Sequence, residues 1–214
     1  MKEALVLIGG GGHCKACIDV IESGGNWSIA GIVDLKEKKG TKVLGYEIIA
    51  GDGDIPVLMK KYRNFLVAVG QVRFADKRRD LFHSLKERGV SFPAIISPHA
   101  LVSRHAELGE GTIVMHGAKI NAGARIGRNC IINTSAVIEH DSAIGDHCHI
   151  ATGSIVNADC DIGEGVLIGS NSVLITAMRI AANTVVGAGS VVIRSIPEPG
   201  IYAGNPAKRL DGNG

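Results

Sequence analysis

From Leu101 onward an aliphatic residue returns at every sixth position, sixteen times in a row and without an insertion, from Val102, Leu108 and Val114 to Val186 and Val192. The sixth place of each block is mostly Ala, Ser, Thr or Cys. A longer period lies over the six, because Gly109, Gly127, Gly145 and Gly163 recur every 18 residues, with Ala181 in the fifth place. Three blocks per coil predict a three-sided β-solenoid. One aliphatic side chain per block points inward and stacks on its counterpart about 4.8 Å along the axis, while glycines and small residues turn the corners. Cys130 and Cys148, 18 apart, stack at one corner as small-residue packing.

The first hundred residues follow another pattern. Residues 4–8 are a continuous apolar run, as in a strand buried on both faces. Gly9–Gly12 follow, then a helical stretch over 13–23 with Ala16, Cys17, Val20 and Ile21 on one side. Further strands are expected at 28–34, 65–70 and 94–96. Helices are expected at 55–62 and at 74–88, the latter carrying Leu81, Phe82 and Leu85. Strand alternating with helix predicts a small parallel sheet covered by helices. The chain thus divides into an α/β, Rossmann-like unit over 1–98 and an all-β solenoid with a C-terminal tail over 99–214.

Composition sharpens this division. Of eight aromatic residues only Tyr202 lies beyond position 100, since a ring would overfill so narrow a prism. Glycine, at 29 of 214 residues, is about twice its usual share. A hydrophobic content of 45% with a net charge of +2 excludes a disordered chain. The absence of a basic block argues against nucleic acid as main partner. No apolar run approaches the ~20 residues of a membrane span, and the N-terminus reads as a buried strand rather than a signal peptide. Five cysteines, odd in number and spread out, suggest a reducing compartment, the cytoplasm.

Gly9–Gly12 stand between strand and helix, where backbone N–H groups can approach a phosphate. The third glycine of G-x-G-x-x-G falls on Cys14, which disfavours an NAD-type site. Two readings stand: a tight turn only, or a phosphate or nucleotide-sugar site. Cys14 and Cys17 form a C-x-x-C at a helix start. With no second such pair to hold a metal, small-residue packing is preferred to redox or metal chemistry. Among the histidines, His83, His99, His105 and His116 read as surface residues. His140 stands apart in a Glu139-His140-Asp141 cluster, where a carboxylate orients the ring and favours its imidazolium form.

The uninterrupted hexads resemble those of the left-handed parallel β-helix acyltransferases. Joined to the glycine-rich small domain, from Ile8-Gly-Gly-Gly-Gly-His13 to Gly204-Asn-Pro-Ala-Lys-Arg209, the chain resembles the bacterial sugar acetyltransferases. These include the bacillosamine-type nucleotide-amino-sugar N-acetyltransferases and the sialic acid O-acetyltransferases. The resemblance implies a homotrimer with acetyl-CoA between neighbouring prisms and no metal. It implies His140 as general base, tuned by Asp141 or by Glu139, and His149 as a contact to acetyl-CoA or substrate. It further implies cofactor contacts at Gly153, Ala158, Ser170 and Ala188. Lys208 and Arg209 either meet CoA phosphates or form a solvated tail. The nucleotide sugar would lie against Gly11, Gly12, His13, Asp34 and Gly70, with His13 alternatively capping its helix. His140 and His149 are nine residues apart, half a coil, so they should lie on different sides of one prism and share a site across a subunit boundary. Three functions are compatible: N-acetylation of a nucleotide-linked amino sugar such as a UDP-4-amino-4,6-dideoxy sugar, O-acetylation of sialic acid, and a non-catalytic scaffold.

Overall fold

Residues 2–210 are described by the structure, a computed structural model; the end of the expected second domain, 211–214, lies outside them. The α/β unit is built on β1 (Glu3–Ile8), flanked in parallel by β2 (Trp27–Val33) and β5 (Asn64–Val67). Beyond β2 lie β4 (Tyr46–Ala50) and β3 (Lys42–Val43), giving the order β3-β4-β2-β1-β5. Alternate residues of β1 serve different layers. Leu5 and Leu7 pack on α1 (Gly12–Gly24). Val6 and Ile8 pack on the side of α2 (Ile55–Met59) and α3 (Asp76–Glu87). The apolar run is therefore buried on both faces, as its sequence predicts.

Three local readings are corrected. Ala16 faces solvent, and Cys14 and Ile18 join Cys17, Val20 and Ile21 on the buried side of α1. The antiparallel β3–β4 hairpin has no counterpart among the expected strands. Its turn residues Leu44 and Gly45 both have positive φ, 48° and 89°, and Leu-Gly lacks the Asn-Gly or Asp-Gly signature of such turns. The strand at 94–96 forms as β6 (Ile95–Ile96), but it pairs in parallel with Ile113–Val114 and so belongs to the solenoid.

From Leu101–Val102 to Val191–Val192 run sixteen two-residue strands, one per hexad. They form the three parallel sheets of a left-handed β-helix. The first face starts at Leu101, the second at Glu107 and the third at β6. Up to Val173–Leu174 each strand pairs with the one 18 residues on, as Ile132 with Ile150 and Ile150 with Ile168. The interior is the predicted aliphatic column with Ala118, Ala136, Cys130, Cys148 and Cys160 between its members. All five cysteines are buried and free. The Sγ of Cys130 and of Cys148 donate to the carbonyls of Gly145 and Gly163 at 3.2 and 3.0 Å. The third face receives the α/β unit: α1 lies between the sheet and Ile113, Met115 and Ile131.

The glycine column marks where successive coils touch. A Cβ built on Gly145 would lie 2.7 Å from the backbone N of Glu164 and 2.8 Å from the carbonyl carbon of Gly163. Backbone cannot yield as a side chain can, so Gly145→Ala should destabilise the protein by about 1–3 kcal/mol. Denaturant unfolding of the variant checks this; an unchanged midpoint would show that the coils have slack.

Candidate functional site

At the carboxyl ends of β1, β2 and β5 the chain opens into a cleft of about 610 Å³ against the third face of the solenoid. Gly9 makes the turn out of β1, with φ +104°, and a side chain there would run into Val69. Gly11 caps α1 without any side-chain hydrogen bond, so the first N–H groups of the helix look into the cleft. This is the geometry that favours an anion. The cleft is lined by Gly9 to His13, Asp34, Lys38, the segment Ala68 to Val72, Lys77, Asn133 and His149. The five positions expected to meet a nucleotide sugar, Gly11, Gly12, His13, Asp34 and Gly70, are thus brought together.

Asp34 holds the glycine turn. Its carboxylate accepts from the N–H of Gly10 (3.0 Å), the N–H of Leu35 (2.7 Å) and Lys38 Nζ (3.1 Å). Partial burial opposes its ionisation, but these donors hold its carboxyl below the usual range. His13 makes no cap bond. Burial, helped by the charge of Arg78, pushes its pKa down to about 4, and its buried Nε2 has no protein partner. Cys14 shows the opposite of a redox thiol: burial, with Asp34 nearby, raises its pKa to about 12.

His149 lies in this same cleft, only 8% exposed. Its Nδ1 is 3.2 Å from the carbonyl of Gln71 and its Nε2 is 3.0 Å from Asn133 Nδ2. A carbonyl only accepts, so Nδ1 carries the proton and Nε2 accepts from the amide. Asn133 Oδ1 accepts from the N–H of Thr134 at 2.8 Å, which fixes the amide the same way. A neutral ring is built in. Burial first, then Arg78 and His13, lowers the pKa to about 3.

His140 is half a coil away, at the corner after Val137–Ile138 on the first face. Its Nδ1 is 2.8 Å from Asp141 Oδ2, and both side chains are open to solvent. Asp141 adopts a left-handed φ of 62°, as do Ser135, His147 and Asp159 at the same place of their hexads. Glu139 instead accepts from Asn121 Nδ2 at 2.7 Å. Of the two acids, Asp141 is therefore the one paired with His140. Ala158 stacks on this corner one coil on, and the N–H of Asp159 donates to the His140 carbonyl at 3.2 Å. Gly153, Ser170 and Ala188 occupy a different corner, after successive strands of the third face. Lys208 is in a short exposed strand that pairs antiparallel with Ile201–Ala203. One chain alone does not bring His140 and His149 together. Sequence reasoning missed Gln71, Arg78 and Asn133. The one available signal was the spacing Arg78, Phe82, Leu85, which puts the arginine on the apolar side of α3. Among the described residues no group of three or more His, Cys, Asp or Glu is placed to hold a metal ion, and no helix is long and apolar enough to cross a membrane.

Residues 4–85 match the PglD N-terminal domain family. Overlapping stretches at 105–140, 123–158 and 141–176 match the bacterial transferase hexapeptide family of six repeats. No curated protein matches the chain significantly. Among solved structures, the acetyltransferase domain of PglB from Neisseria gonorrhoeae FA1090, in complex with acetyl coenzyme A, is 30% identical with a TM-score of 0.90, over 98% of this chain and 100% of that one. PerB from Caulobacter crescentus, in complex with CoA and GDP-perosamine, is 36% identical with a TM-score of 0.91, over 97% of both chains. A variant of the perosamine N-acetyltransferase from the same organism, with one histidine replaced by asparagine, is 35% identical with a TM-score of 0.81 and the same coverage. With both units matched in order, and relatives similar along nearly their whole length, the chain belongs to the bacterial hexapeptide-repeat sugar acetyltransferases.

Proposed function

We propose that the protein transfers the acetyl group of acetyl-CoA to the amine of a nucleotide-linked sugar, with the nucleotide in the cleft at the start of α1. The observation that carries the reading is the His140–Asp141 pair at 2.8 Å. With its Nδ1–H donating to the carboxylate, His140 presents Nε2 as an unoccupied proton acceptor on an open corner. The sugar amine attacks the thioester carbon and a tetrahedral oxyanion forms. Nε2 takes the proton from nitrogen, the C–S bond breaks, and the proton passes to the departing CoA sulfur. The products are the N-acetyl sugar and CoA, and no acyl-enzyme is needed.

The cleft supports the acceptor half of the reading. Helix N–H groups, Lys38 and Lys77 offer positive charge to a diphosphate, and His13 stands beside them in the cleft wall. PerB has been solved with a nucleotide amino sugar and CoA together, which favours this acceptor over sialic acid and over a scaffold. A homotrimer completes the proposal. His140 and the cleft lie on different sides of one prism, so a neighbouring copy would bring a nucleotide sugar held by one chain to the base of the next. Gly153, Ser170, Ala188 and Lys208 are the proposed contacts to acetyl-CoA, with Ala158 beside the base. Five buried free thiols fit the cytoplasm as the site of this reaction.

Free CoA released from acetyl-CoA in the presence of UDP- and GDP-linked amino sugars, sialic acid and buffer is the test. Release only with the nucleotide amino sugars is the expected result. Release only with sialic acid, or none with any acceptor, overturns the reading.

A further inference from the structure

The buried cation of α3 has no role in the mechanism above. Arg78 is 2% exposed, and among the described residues no carboxylate lies within ion-pair distance of it. A buried charge is costly unless its donors are satisfied; Arg78 Nε has no protein partner, and most acceptors of its other donors come from the solenoid. At the corner between the second and third faces, the ladder N–H groups of Asn129, His147 and Gly165 donate to the carbonyls of Glu110, Arg128 and Asp146, each at 2.8 Å. The carbonyls of Asn129, His147 and Gly165 themselves are left over, one per coil. Arg78 takes the first two: Nη2 donates to the Asn129 carbonyl and Nη1 to that of His147 at 3.4 Å. Gln71 takes the third, its Nε2 donating to the Gly165 carbonyl at 3.3 Å.

Arg78 and Gln71 are joined to each other, Nη1 to Oε1 at 3.3 Å. Gln71 lines the cleft, and its backbone carbonyl accepts the Nδ1 proton of His149. A continuous chain thus runs from three coil corners through Arg78 and Gln71 to the ring at the cleft wall. The geometry points to Arg78 as a positioning residue, acting through Gln71 to hold His149 in its Nδ1–H form with Nε2 turned to Asn133. This deepens the proposed reading of the cleft and rests on it for its functional consequence. A fixed tautomer gives the cleft wall one defined pattern of donors and acceptors, whereas a free ring would offer two.

The test uses the full-length, ligand-free protein and the ring nitrogens of its histidines observed by long-range proton–nitrogen NMR. Wild-type His149 should show one protonated Nδ1 and one unprotonated Nε2. Arg78→Met and Gln71→Met keep the carbonyl of residue 71 but release it from the solenoid corner, so the two nitrogen shifts should move toward each other as the second tautomer becomes populated. Binding of UDP and GDP, measured by calorimetry, should weaken about tenfold for whichever the wild type binds. Folded variants with unchanged His149 nitrogens overturn the assignment. If Arg78→Met does not fold, Gln71→Met decides alone, since it leaves Arg78 on its two corner carbonyls. A wild type that binds neither nucleotide, with variants that still lose the tautomer, overturns the nucleotide reading of the cleft and supports Arg78 as the residue that positions His149.

Discussion

His140→Ala should lower kcat/KM for the amino-sugar acceptor by about 10²–10⁴-fold, the usual contribution of a positioned general base, while the protein stays folded and still binds CoA. The fold should survive because the side chain is open to solvent and its only described partner is Asp141. The backbone carbonyl that receives the Asp159 N–H is untouched by the substitution. The loss should fall mainly on kcat, since the proton moves only after the acceptor is bound. Asp141→Asn separates the partner's charge from its place. Asn adopts the left-handed region nearly as readily as Asp, so the φ of 62° is kept while the carboxylate is lost. A smaller loss than that of His140→Ala is expected, because the imidazole remains. A rate unchanged in His140→Ala would remove this residue from the mechanism.

The parts of this site that could be read from the sequence are those whose physics is local. The hexad period, with its 18-residue superperiod, yields the prism, its corners and the half-coil separation of His140 from His149, because each coil contacts only its neighbours. The glycine turn at Gly9–Gly12 and the apolar run before it likewise announce themselves. What stayed hidden depends on docking. Arg78 looks like one more charge in Asp76-Lys-Arg-Arg-Asp80, and only the solenoid corner packed against α3 turns it into a buried cation. His149 shares its hexad place with Ile113, Ile131 and Leu167. Nothing in the repeat says that the α/β unit covers that face and makes the position a cleft wall. The pairing of His140 with Asp141 rather than Glu139 depends on the coil before, where Asn121 takes up the Glu139 carboxylate.

Lowering the pH from 7.5 to 4.5 should destabilise the ligand-free protein steeply, and the loss should begin at the seam between the two units. His13, His147 and His149 have folded-state pKa values lowered from 6.5 to about 4, 4 and 3. Burial is the main cause for all three. For His147, His83 and Arg78 add to it, with Nε2 of His83 only 3.2 Å away, whereas Asp146 opposes it. The folded state therefore prefers these rings neutral. Below pH 6.5 the unfolded chain binds protons that the folded one refuses, so stability is full above that pH and falls as the pH drops toward the folded values. Each histidine contributes about 1.4 kcal/mol per pH unit inside its window. The more deeply buried His13 and His149 together amount to roughly 2–3 kcal/mol per unit between about pH 6 and 4, with His147 adding less, a large part of the stability of a domain within two units. The lowered carboxyls of Asp34 and Asp146 act only further down, as the pH approaches their unfolded value of 3.8. All three histidines face the junction of the α/β unit with the solenoid, through α1, the corner under α3 and the third face. The aliphatic column inside the prism holds no titrating carboxylate or imidazole. Acid should therefore open the seam while the coils still stand, and the cleft, whose wall is His149, should be lost first. Denaturant titrations at four pH values give the slope, and amide exchange at the cleft residue Ala68, whose N–H is held by the Ile8 carbonyl at 2.8 Å, against that at Ile138 gives the order. A stability that is flat from pH 7.5 to 5, or exchange that rises equally at both amides, would contradict it.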